Sequence, residues 1–297
     1  MKKKLIFYTV ALTAGLLTAC SSDDDQETPI RHISVEVNEQ PMTSADDEAG
    51  ARSLTTRSAI TTTESFTKFY MRGVYDGSTS EYEASKEDNK WTVAPDTWPG
   101  GTSNNDPTPF YAFTDGTFNA NSGTPYISFT MAEDASTQHD LLVAKNTVFY
   151  NNHQGKVPLT FDHACAALAF NVYITNTLKT ALGSTLTVNS IVLRNVSNTG
   201  KYYFGETPTW GDVSGSAYYT LTDGDITVDN TPQALRSNYL FVIPQTRAAN
   251  DTTGTYLEIN YTFSGQKKTS ATIPLAVNWA AGSKYTIDIK LGTGLIQ

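Results

Sequence analysis

A chain of 297 residues is long enough for about two domains at roughly 150 residues each, every one with its own core, which excludes a small disulfide-stapled scaffold. Lys and Arg number 21 against 30 Asp and Glu, a net charge of −9, and that sign repels nucleic acid and anionic lipid surfaces. Charged residues make up 17% and aromatics 11% where ordinary domains carry about 25% charge, the profile of a Thr/Ser/Asn-decorated, Tyr-rich β protein.

The N-terminus reads as an address. Lys2, Lys3 and Lys4 form a basic region, residues 5–17 are apolar, and small residues follow, the anatomy of an export signal. The apolar run is short for a membrane span. Leu17-Thr18-Ala19-Cys20 resembles the lipobox of bacterial lipoproteins, which makes residues 1–19 a signal peptide and Cys20 a diacylated N-terminus; the alternative is a plain secretory signal with a chance cysteine. More than one acyl chain gives stable anchorage. With Cys20 so used, Cys165 has no partner for an intramolecular disulfide. Ser21-Ser22-Asp23-Asp24-Asp25 resembles the acidic tag of surface-exposed lipoproteins, against the alternative of a solvated spacer, and residues 20–32 are taken as a lipidated acidic tether.

Ile33, Val35 and Val37 alternate with polar Ser34 and Glu36, a period of two that predicts a strand. Residues 41–63 are polar again and cannot hold themselves down; they include Arg52 and Arg57. Beyond them, alternation or β-branched and aromatic enrichment predicts strands at 66–74, 110–113, 126–131, 141–144, 157–161, 166–174, 187–193, 202–204, 217–221, 239–243, 256–263, 271–275 and 285–291. Turn signals such as Asp76-Gly77 and Asn198-Thr199-Gly200 separate them. The spacing indicates an all-β chain of two sandwiches, with a boundary at the polar junction before 157. One helical turn is expected at 178–182, and 162–167 is helical by composition. The loop 95–109 is long enough to be functional or mobile.

Chemistry is sparse. His32, His139, His153 and His163 are scattered and form no metal-ligand spacing. Cys165 lies among small apolar residues and reads as a buried inert thiol. No nucleophile elbow, P-loop or dinucleotide fingerprint follows a strand. No catalytic residue, metal or cofactor is therefore expected, and the chain is read as a non-enzyme. Trp98, Trp210 and Tyr202-Tyr203 could form a sugar-stacking platform or simply cap the sandwiches.

Several stretches together resemble the fimbrillin family of Bacteroidetes, pilin-like surface lipoproteins. They are Thr56-Arg57-Ser58 with Phe66-Thr67-Lys68-Phe69-Tyr70, Pro109-Phe110-Tyr111-Ala112-Phe113, Asp140-Leu141-Leu142-Val143-Ala144, Lys156-Val157-Pro158-Leu159-Thr160-Phe161-Asp162-His163-Ala164 continued by Ala166, Leu168, Phe170 and Val172, then Ile273-Pro274 and the turn at Trp279–Tyr285. The resemblance implies two tandem transthyretin-like β-sandwich domains after the signal peptide and flexible leader, at 33–156, including a removable first strand and a cleavable linker, and at 157–297. It implies a fimbrial subunit of the cell surface, lipid-anchored in the outer membrane as a precursor and serving adhesion. An arginine-specific protease would cut after Arg57 or Arg52 and release the strand of Ile33, Val35 and Val37. A strand from another subunit would then fill the groove by β-augmentation. The candidate donor is 285–291, with Tyr285, Ile287, Ile289 and Leu291 on one face; only residues 292–297 follow it, so the same alternation also suits an ordinary closing strand. The partners implied are other fimbrial subunits, the outer membrane through the lipid, and a host or bacterial surface ligand, with no nucleic acid. The rival function is a surface lipoprotein that binds carbohydrate or a host ligand without polymerising.

Overall fold

The computed structural model describes residues 30–44, 66–120, 123–183, 186–250, 253–263 and 266–296. Cys20, Arg52 and Arg57 lie outside them. The chain is all-β. Its early strands are β1 (Ser34–Glu39), β2 (Thr43–Ser44), β3 (Lys68–Tyr75), β4 (Ser78–Glu87), β5 (Lys90–Ala94) and β6 (Thr108–Phe113). Then come β7 (Thr117–Asn119), β8 (Tyr126–Thr130), β9 (Leu142–Val148), the single turn α1 (Tyr150–His153) and β10 (Lys156–His163). The later half begins with β11 (Ala166–Ile174), α2 (Asn176–Leu182), β12 (Leu186–Val196), β13 (Thr199–Tyr203), β14 (Thr209–Ser214) and β15 (Ala217–Val228). It ends with β16 (Gln233–Ala234), β17 (Leu240–Val242), β18 (Gln245–Arg247), β19 (Thr255–Phe263), β20 (Gln266–Leu275), β21 (Val277–Trp279) and β22 (Ser283–Leu291).

Seven strands form the first sheet in the order β1-β10-β9-β6-β3-β4-β5. One face of it encloses a core of Phe69, Met71, Tyr82, Phe110, Val157, Leu159 and Phe161, with Ile33 from the chain just before β1. The sheet curls until its ends meet: the Ile33 N–H donates to the Asp96 carbonyl (2.7 Å) and the Trp98 N–H to the Arg31 carbonyl (2.8 Å), while His32 bridges Thr97. β1 and the residues before it therefore close a seam between β10 and the segment after β5. The turns are chemically specified. Asp76 and Gly77 both have positive φ (47° and 71°), as do Asp88 and Asn89 (47° and 61°), the conformation of two-residue type I′ hairpins.

The other face of β6 and β9 packs on a four-stranded sheet, β14-β13-β8-β7, through Tyr111, Phe113, Val143, Ile127, Phe129, Tyr202 and Phe204. β8 pairs with β13, so this sheet joins strands from both halves of the chain. The chain itself leaves the first sheet after His163 and enters the next at Ala166. There, β16-β11-β22-β2 faces β15-β12-β19-β20 across a core that includes Leu168, Phe170, Val172, Val188, Ile191, Leu257, Ile259 and Ile289.

Two local expectations are corrected. Residues 162–167 are not helical: Asp162 and His163 finish β10, whose outward and inward alternation they continue, and Ala166 opens β11. The loop 95–109 is no mobile arm. Trp98 is 1% exposed, set edge-on against Phe110 and Tyr150 at 5.1 and 5.3 Å, and buried Asn104 donates to the Pro99 carbonyl and the Thr108 hydroxyl at 2.7 and 2.8 Å. The helical turn at 178–182 extends to a seven-residue α2. The Thr175 hydroxyl accepts the Leu178 N–H (3.1 Å) at its start, and Gly183 closes it at φ 63°.

Candidate functional site

The segment 30–44 lies along the edges of two sheets at once. β1 runs parallel to β10, with Val35 opposite Val157, Val37 opposite Leu159 and Glu39 opposite Phe161. Ile33, Val35 and Val37 share one parity and turn toward the core, where Ile33 is buried and the two valines pack at its margin. Ser34 N–H donates to the Gly155 carbonyl (2.9 Å) at one end of β1, and Gln40 N–H to the Phe161 carbonyl (2.8 Å) at the other. Gly155 is there by necessity. Its φ is +79°, and a Cβ on it would stand 2.1 Å from the His32 carbonyl oxygen, so only glycine lets the leader lie this close.

After three residues the same segment reaches the second sheet. Met42 is buried, Thr43 N–H donates to the Gly282 carbonyl (2.8 Å), and β2 pairs in parallel with the first two residues of β22. Lys284, buried at this end, holds its amine 5.9 Å from the Tyr239 ring centre, and burial lowers its pKa.

Tyr285, Ile287, Ile289 and Leu291 lie in β22, which pairs in parallel with β11 from Lys284 to Leu291. Ile289 and Leu291 are buried in the second core, with Tyr285 and Ile287 half-buried beside it. The two sets of residues singled out for strand exchange thus sit on different sheets, linked by residues 40–44 and by the passage of the chain from β10 to β11.

Between them lies a cluster that sequence reasoning did not assemble. Glu39 continues the inward parity of Ile33, Val35 and Val37, and His163 continues that of Val157, Leu159 and Phe161. The Glu39 carboxylate stands 3.2 Å from His163 Nε2, and the Asp140 carboxylate meets His163 Nδ1. The three side chains are 5%, 3% and 8% exposed. Asp140 also accepts the Cys165 N–H at 3.1 Å. Burial pushes the Asp140 carboxyl up, against the pull of His163 and Cys165. Asp140 is hydrogen-bonded to the ring at Nδ1, while Nε2 faces the Glu39 carboxylate at ion-pair distance without a hydrogen bond. A cleft of about 490 Å³ opens beside the cluster, with Phe66, Lys68 and Phe241 on its walls. The signal for Glu39 was its parity; nothing local pointed to Asp140.

Cys165 is fully buried, and burial with the nearby Asp140 charge raises its thiol pKa well above the ordinary value, the wrong direction for a nucleophile. Trp98 and Tyr202 are buried and half-buried Trp210 donates from its indole to the Ala164 carbonyl (2.7 Å), so these three rings pack into or against the cores, while Tyr203 is half-buried beside Tyr126. Among the described residues no group of three or more His, Cys, Asp and Glu is arranged to hold a metal ion. No helix among them is long and apolar enough to cross a membrane.

β1 and β2 thus stand at the edges of two different sheets. A fimbrillin-like family model matches residues 42–297, and the chain belongs to that family. Among solved structures it is similar to a fimbrial protein from Bacteroides vulgatus, at 18% identity and a TM-score of 0.54, covering 77% of this chain and 89% of that one. It is also similar to a putative cell adhesion protein from Parabacteroides distasonis, at 9% identity and 0.53, covering 89% of each. A third, from Bacteroides ovatus and likewise described as a putative cell adhesion protein, gives 13% and 0.51 over 88% and 92%. These likenesses establish the fold. No match is found among curated proteins.

Proposed function

We propose that the protein is a structural, non-enzymatic subunit of cell-surface fimbriae that serves adhesion. In this reading it is a precursor anchored in the outer membrane through lipid on Cys20, after a signal peptide at 1–19. It is assembled by β-strand exchange once an arginine-specific protease cuts after Arg57 or Arg52. Two tandem transthyretin-like sandwiches carry the groove, the first with its removable strand at Ile33, Val35 and Val37.

The observation that carries the reading is the seating of β1. It is an edge strand paired with β10, residues 31–33 just before it hydrogen-bond to residues 96–98, and it is separated from β3 by a stretch that contains both arginines. Of the two roles open to residues 285–291, full-length pairing with β11 and the burial of Ile289 and Leu291 support the closing strand. β22 then serves exchange as the receiving edge under β2. The test is to incubate the purified chain with an arginine-specific protease and look for ladders on a gel. The expected result is a ladder that is lost in the Arg52→Ala/Arg57→Ala double variant; a cut chain that stays monomeric and binds a glycan array instead favours the carbohydrate-binding alternative.

A further inference from the structure

The groove under the leader is apolar for most of its length and then ends in a charge. Along β10 the inward positions are Val157, Leu159 and Phe161, each fully buried, followed by His163. The strand paired beside them repeats the pattern with Ile33, Val35, Val37 and then Glu39, offset by one inward place, so that Val35, Val37 and Glu39 stand opposite Val157, Leu159 and Phe161 and Glu39 reaches His163 on the diagonal. Any strand that replaces β1 in the same parallel register must cover the same four places. Resting on the strand-exchange reading above, we propose that the Glu39 place is the selecting position of this groove. The occupant it fits is a strand of a partner subunit with three alternating apolar residues followed, two residues on, by a carboxylate or another hydrogen-bond acceptor for His163.

The physical reason lies in what His163 loses when the place is filled wrongly. Its Nδ1 side is already taken by Asp140, which is tied in turn to the Cys165 N–H, so the ring cannot swing away to find another acceptor without breaking that pair. Nε2 stands 3.2 Å from the Glu39 carboxylate, at ion-pair distance and without a hydrogen bond; the other polar side chains on the wall of the adjoining cleft are Thr67, Lys68, Thr114, Gln138 and His139, and none of them hydrogen-bonds Nε2. An apolar side chain at this place removes the carboxylate beside the buried Nε2 and returns nothing polar. A buried polar group left so costs enough to weaken binding about tenfold to a hundredfold. The apolar places, by contrast, accept any aliphatic residue of similar volume at little loss. Anchoring is therefore spread over three tolerant positions, and discrimination falls on the fourth.

The experiment uses the full chain. Wild type, Glu39→Gln and Glu39→Leu are each cut with an arginine-specific protease, and loss of the leader is followed by size-exclusion chromatography in the presence of excess peptide spanning residues 30–44. The same three are then compared in a His163→Leu background. The expected result is a leader lost at least about tenfold faster from Glu39→Leu than from wild type, with Glu39→Gln close to wild type, and the order reversed when His163 is Leu. A general loss of packing would not reverse it. If the leaders exchange but Glu39→Leu leaves at the wild-type rate, strand exchange stands and the selecting position is refuted. If no cut leader exchanges under any condition, the strand-exchange reading itself falls, and this proposal with it.

Discussion

Ile289 decides what the last strand does. It is 3% exposed within the second core, and Ile289→Ala removes three carbons there, at about 0.8 kcal/mol per buried methylene plus a contribution from the cavity left behind, so that about 3 kcal/mol is expected. For a unit of 150–250 residues each kilocalorie moves the melting temperature by roughly 2–4 °C. The variant should therefore melt about 6–12 °C below the parent. Ile287→Ala, at a half-buried position on the margin of the same cluster, should lose about half as much, and Lys290→Ala, exposed on the opposite parity, should stay within about 0.5 kcal/mol of the parent. Circular dichroism melts before and after arginine-specific cleavage give the comparison. If Ile289→Ala melts with Lys290→Ala, the strand contributes no packing to its own chain, and it is a detachable donor rather than the closing strand.

Other outcomes are open to direct measurement. Tyr82 donates to the Thr97 carbonyl (2.9 Å), and burial pushes its phenol up from 10.0 to about 12; stability should hold below pH 10 and fall as pH rises through 12, because the folded state keeps the proton longer. Tyr82→Phe should flatten that alkaline slope in urea titrations. Cys20→Ala should move the protein out of the outer-membrane fraction, and its persistence there would remove the lipid as anchor. Thr175→Ala should cost about 1 kcal/mol through loss of the α2 cap, read as a lower urea midpoint at unchanged slope.

How much was readable in advance varied with how the residues meet. The strand expected at 166–174 matches β11 residue for residue, since Ala-Ala-Leu-Ala-Phe-Asn-Val-Tyr-Ile is buried nearly throughout and no polar face interrupts it. β4 went unseen because Ser78–Glu87 carries only Tyr82 and Ala84 as buried residues; it is held as a strand by hairpins on both sides. β1 was legible from the alternation of Ile33, Val35 and Val37. Its neighbour was not, because parallel pairing with β10 joins residues more than a hundred positions apart, and no local pattern encodes that. The Glu39–His163–Asp140 cluster was invisible for the same reason, being the product of two strand parities and one loop.

The three residues Gln40, Pro41 and Met42 give the leader a property that neither of its strands has alone. β2 holds two residue pairs with β22, too few to bind as a free peptide, and β1 holds six with β10. Tied together, they form a bivalent ligand: while one half stays down, the short tie keeps the other at high effective concentration above its own edge, so release requires both to let go together. The spacing also works as a ruler. Under the strand-exchange proposal, a strand that fits the first edge but turns too late or too early would reach only one sheet, bind with the weaker single-site affinity, and give way to a correctly spaced competitor.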